Sequence, residues 1–164
     1  MTDSSKGVLL LCYGNPGRLD DGLGAAFAAR LQDSAPENIT IEVDYLLAVE
    51  HATSIAENGV VIFVDAAIGG PEPFSFKSVR PRPVQAFSTH IVEPGNLLQL
   101  AKELFSAKTE GYCLAIRGYE FDDFGEDLSP GAKENLRAAL RFAEDLLRSG
   151  DYEAAAARGS SSGA

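Results

Sequence analysis

The unbroken apolar run from Gly7 to Tyr13 constrains the fold more than any other stretch of the chain. A strand that is apolar on both faces has to be covered on both sides, as the central strands of parallel sheets are. The run feeds directly into Gly14-Asn15-Pro16-Gly17-Arg18-Leu19-Asp20-Asp21-Gly22-Leu23-Gly24. Pro16 fixes one backbone angle, the glycines permit tight bends, and the adjacent carboxylates Asp20 and Asp21 fall where the next helix begins. This loop sits at the carboxyl end of a strand, where open α/β sheets keep their ligands.

The rest of the chain repeats the strand-and-helix rhythm. Leu23, Phe27, Ala28 and Leu31 predict a helix over Gly22 to Leu31, and Ile39 to Leu46 alternates like a half-exposed strand. A short helix over Glu50 to Glu57, closed by Asn58-Gly59, precedes a third strand from Val60 to Asp65. Between Gly69 and Pro83 the prolines and short alternating pieces predict a loop with an edge strand or hairpin. A helix over Pro94 to Ala107, a strand over Gly111 to Ile116 and a long helix from Ser129-Pro130 to Gly150 complete the pattern. The expected fold is three-layer α/β/α, with a mostly parallel, twisted central sheet of about five strands. Residues 1–150 form one α/β domain. Residues 151–164 read as a flexible tail, with at most a weak helix over Ala154 to Ala157, because the Gly/Ser-rich end has nothing to bury.

A net charge of −10 disfavours nucleic acid and anionic membranes, both of which repel such a chain at long range. No apolar run is long enough to span a bilayer and no secretory signal is visible, so a cytoplasmic protein is expected. No apolar surface stripe is evident, which favours a monomer. Cys12 and Cys113 lie inside apolar strands without CxxC spacing and read as buried, reduced thiols rather than nucleophiles.

Three polar residues close apolar segments: Asp21, Asp65 and His90. Two carboxylates and an imidazole are an ordinary ligand set for a divalent first-row metal, and three O/N ligands suit an open site better than a closed structural one. The bland alternatives are a helix cap for Asp20 or Asp21, a turn cap for Asp65 and a surface position for His90. Adjacent carboxylates repel, so the second one calls for an explanation that a metal would provide. His51, in a predicted helix, reads as a surface residue. Asp122, Asp123, Glu126 and Asp127 read as a solvated acidic loop, with docking of a basic segment as the alternative. GxSxG, P-loop, HExxH and GxGxxG motifs are missing, which argues against those chemistries.

Taken in order, Gly14-Asn15-Pro16, Asp20-Asp21-Gly22-Leu23-Gly24, Val64-Asp65-Ala66 and Ser88-Thr89-His90 resemble the nickel-iron hydrogenase maturation endopeptidases, over Gly7 to about Leu147. The resemblance implies a peptidase that removes a carboxyl-terminal extension from the hydrogenase large-subunit precursor after nickel insertion. The nickel would be carried by the precursor, with other divalent metals able to substitute. The family's three ligands fall on Asp21, Asp65 and His90, and the catalytic group would comprise Asp20, Asp21 and Asp65, with Asp20 orienting water or substrate backbone. Leu19 departs from the small or glycine-like residue expected before Asp20. A non-hydrolytic nickel-binding or docking module on the same fold is the alternative. Gly14-Asn15-Pro16-Gly17 also resembles the opening of bacterial peptidyl-tRNA hydrolases, but the Thr-Arg-His-Asn that should follow is missing and the charge is wrong for tRNA.

Overall fold

A computed structural model describes residues 6–84 and 92–162. Strands β1 (Val8–Tyr13), β2 (Ile39–Asp44), β3 (Val60–Ala67), β4 (Phe74–Val79) and β5 (Glu110–Arg117) form one sheet in the order β2-β1-β3-β5-β4. All neighbours are parallel except β4, which runs antiparallel to β5 at one edge. This is the three-layer, mostly parallel architecture expected from the sequence, and β4 is the edge strand that the Gly69 to Pro83 pattern foreshadowed.

Alternation along the central strands splits the core in two. Val8, Leu10 and Cys12 of β1 join Val60, Ile62 and Val64 of β3 under helices α1 (Leu23–Leu31) and α4 (Pro130–Ser149). Leu9 and Leu11 join Val61 and Phe63 under α2 (His51–Ala56) and α3 (Pro94–Phe105). Burying each large side chain removes it from water at a gain of roughly 1.5–3 kcal/mol, which is why both faces of β1 and β3 are covered. Ser129 caps α4 by accepting from the Ala132 amide at 3.3 Å, and Pro130 follows at the first helical position.

The expected flexible tail is corrected over most of its length. Residues Tyr152–Ser162 form a fifth helix, α5, packed against β4. Ala155 and Ala156 are buried in the core, and the Tyr152 ring lies 5.9 Å from that of Tyr112. Gly159 comes so near β4 that a Cβ there would stand 2.4 Å from the Phe76 carbonyl oxygen. Small residues therefore let α5 lie against the sheet edge, a long-range fit that local composition does not announce. Among the described residues no helix is long and apolar enough to cross a membrane.

Candidate active site

The loop after β1 is built around one glycine and one asparagine. Gly14 has φ +133°, and a Cβ there would lie 2.2 Å from the Asp21 carbonyl oxygen, so only glycine fits. The Asn15 side chain accepts the Gly17 amide at 2.8 Å, folding the loop back on itself. Leu19 adopts φ +51°, the left-handed region where a glycine-like residue was anticipated. It is held there by the neighbouring loop: the Leu19 amide donates to the Gly125 carbonyl at 2.8 Å, and the Gly125 amide donates to the Gly17 carbonyl at 2.8 Å. A 3₁₀ turn over Leu19–Gly22 then leads into α1.

That turn sends the two adjacent carboxylates to different places. Asp20 is fully buried. One oxygen accepts the Ser129 amide at 2.8 Å; the other accepts the Tyr119 amide at 2.7 Å, the Glu120 amide at 3.0 Å and the Ser129 hydroxyl at 2.7 Å. Burial alone would raise its pKa, but the Ser129, Tyr119 and Glu120 donors outweigh burial and hold it below the usual carboxylate value. Asp20, expected to orient water or substrate backbone, accepts four hydrogen bonds that tie the first loop to the start of α4. Asp21 is half-buried, and one of its oxygens accepts the Asn15 amide at 2.7 Å.

Asp65 stands on β3 opposite Ala115 of β5, one position beyond the Cys12 and Val64 pair that links β1 to β3. It accepts its own neighbour's Ala66 amide at 2.8 Å, and the Tyr13 phenol of β1 stands close enough to favour its charged form. Burial, reinforced by the Asp21 charge, pushes its carboxyl up to about 6 against both. Tyr13 is raised in turn, by burial first and then by the Asp65 charge. Asp21 and Asp65 are thus within electrostatic reach of one another at the carboxyl edge of the sheet. Sequence reasoning passed over Tyr13; its signal is a polar-tipped aromatic ending an otherwise aliphatic strand.

His90, the third expected ligand, lies outside the described residues. Among the described residues no group of three His, Cys, Asp or Glu side chains is placed to hold a metal ion. His51 is not the surface residue expected: it is buried, its Nδ1 accepts the Ala48 amide at 2.9 Å, and its Nε2 lies 3.3 Å from Asp44. Capping the turn before α2 while facing the end of β2 is what draws the ring inward. Burial pushes both thiols, Cys12 and the half-buried Cys113, up to about 12, so neither is poised as a nucleophile. Asp122, Asp123, Glu126 and Asp127 are exposed, as a solvated loop requires. Two clefts of about 440 and 450 Å³ run beside β4 and α5, and neither is lined by Asp21 or Asp65.

No protein-family model and no curated protein sequence matches the chain. Solved structures do. The NiFe hydrogenase maturation protease HycI of Thermococcus kodakarensis KOD1 is 22% identical with a TM-score of 0.68, covering 88% of this chain and 95% of its own. The hydrogenase 2 maturation peptidase of a Thaumarchaeota archaeon is 21% identical with a TM-score of 0.64, covering 87% of this chain and 98% of its own. The hydrogenase maturating endopeptidase HybD of E. coli is 19% identical with a TM-score of 0.61, covering 88% and 94% respectively. At TM-scores of 0.61 to 0.68 over nearly nine-tenths of its length, the chain has the fold of these hydrogenase maturation proteases.

Proposed function

We propose that this protein is an endopeptidase that removes the carboxyl-terminal extension from the large-subunit precursor of a nickel-iron hydrogenase, using the precursor's nickel as its recognition element. The observation that carries this reading is a fold shared with known maturation proteases, in which Asp21 and Asp65 stand within electrostatic reach at the sheet's carboxyl edge. In this reading Asp21, Asp65 and His90 receive the nickel that arrives with the substrate, and other divalent ions can take its place. Asp65, whose carboxyl is pushed up to about 6, would be drawn into its charged form by an arriving cation and would release its proton. Holding the precursor through its metal fixes the scissile peptide against the two carboxylates, which turns an encounter into a positioned reaction. Polarisation of the carbonyl or activation of a water would follow from the metal's charge.

The test is intact-mass analysis of a cognate large-subunit precursor incubated with the protein in nickel-loaded and nickel-free forms. Loss of a discrete carboxyl-terminal peptide from the loaded form only is the expected result. A stable, uncut complex with the loaded precursor would replace the peptidase with a docking module.

A further inference from the structure

The described residues do not spread their exposed apolar side chains evenly. Tyr45, Leu46 and Val49, between β2 and α2, are exposed, Leu46 by 75%; Ile68, just past β3, is 77% exposed and Phe124, between β5 and α4, 82%. All five follow parallel strands and so stand at the carboxyl edge of the sheet, the edge that carries Asp21 and Asp65. Large apolar side chains left together in water mark a surface that something covers.

In strand order the β2 and β5 loops lie on either side of the loops bearing those carboxylates, three strand spacings or about 14 Å apart. They also belong to different layers. Leu47 anchors the β2 loop in the core under α2 and α3, whereas Gly125 is hydrogen-bonded to Gly17 and Leu19 ahead of α1. An extended peptide follows one line, so a cover for both corners must be broad; about 800 Å² per partner, an ordinary stable interface, suffices. The charge around the apolar groups selects the occupant. Asp44 and Glu50 flank the first group and Asp122, Asp123, Glu126 and Asp127 flank Phe124, all exposed, while Arg18 and Arg117 at the same edge donate to the backbone carbonyls of Phe121, Gly70 and Gly118. A second copy of this chain would bring like charge against like.

We infer that this edge is a docking surface for the folded body of the large-subunit precursor, which would present an apolar face ringed by lysine and arginine and lie across Asp21 and Asp65. The inference rests on the substrate proposed above and adds a contact beyond the metal and the extension that is removed.

Affinity for the nickel-loaded precursor and steady-state processing, measured for wild type, Leu46→Ser, Phe124→Ser and the double variant, test it, with Leu104→Ser as control. Leu104 is 63% exposed near the end of α3, the helix that leads to the amino end of β5. Each edge substitution should weaken binding and raise KM about tenfold, and the pair about a hundredfold because the two positions are far apart, with kcat within about twofold. Melting should move by no more than a few degrees, as exposed positions allow, and Leu104→Ser should change nothing. Unaltered affinity in the double variant, or an equal loss in Leu104→Ser, overturns the docking surface and leaves the peptidase standing. A synthetic peptide of the extension that displaces the precursor makes the extension the occupant, and a wild type that sediments as a dimer while the double variant sediments as a monomer makes it a second copy; either overturns the inference. Variants that lose affinity for a precursor which the wild type holds but never cuts uphold the surface and overturn the peptidase. A wild type that neither binds nor cuts overturns both.

Discussion

Asp20 and Asp65 are the same side chain at the same end of the same sheet, yet they sit on opposite sides of the ordinary carboxylate value. Asp20 is the more deeply buried of the two, and it is the one held down. The difference lies in donors: Asp20 faces three amides and a hydroxyl, whereas Asp65 faces one amide and a phenol beside a second negative charge. Burial opposes charge in both places, and donor count decides whether it wins. The protein thus keeps one carboxylate charged as a tie between loops and leaves the other with fewer donors at the carboxyl edge of the sheet, where the proposed substrate metal would be received.

The comparison breaks most visibly at Asp20. Asp20→Asn turns an amide toward donors that require an acceptor and should destabilise the fold by about 3 kcal/mol, or on the order of 10 °C in melting temperature. Because native Asp20 is held low, its contribution is complete above about pH 4 and fades as pH falls through its native value. The gap between wild type and variant in pH-dependent thermal melts should therefore close in acid.

At Asp65 the sign reverses. The native carboxyl titrates near 6 while the unfolded one titrates near about 4, so between those values the native state binds more protons and stability falls as pH rises. Asp65→Asn should stabilise the protein by about 2 kcal/mol at pH 7.5 after allowance for partial solvent screening, a gain that vanishes by about pH 4. The same thermal melts measure it. The smallest effect is at Ser129→Ala, which removes one of Asp20's four donors and the α4 cap and leaves the amides in place. A loss of about 1 kcal/mol, read from urea unfolding, is expected. A loss as large as that of Asp20→Asn would show that the hydroxyl, not the amides, holds Asp20 down.

The fold was legible wherever periodicity was strong. β1 and β3 are apolar on both faces, and α4 carries a cap, a proline and a regular stripe, so their positions followed from local pattern. α5 was not legible, because alanines and a glycine have little to declare until Phe76 and Tyr112 supply a surface for them. At the site, the pair Asp20-Asp21 was visible but its division of labour was not. Which carboxylate turns inward depends on the left-handed Leu19 and on amides about a hundred residues further along, at Tyr119, Glu120 and Ser129. His51 was misjudged for a similar reason: its partners, the Ala48 amide and Asp44, become neighbours only once β2 and α2 are folded.

The close seat of Gly159 over the Phe76 carbonyl has a consequence for how this sheet ends. An open sheet has two borders, each a row of backbone groups that could recruit a strand from another molecule. Here they are guarded by different means. β2 carries Glu42 and Asp44 along its length, so an incoming strand must accept negative charge, whereas β4 has the body of α5 laid against it. The glycine that made the end of the chain read as slack is what lets it close that border.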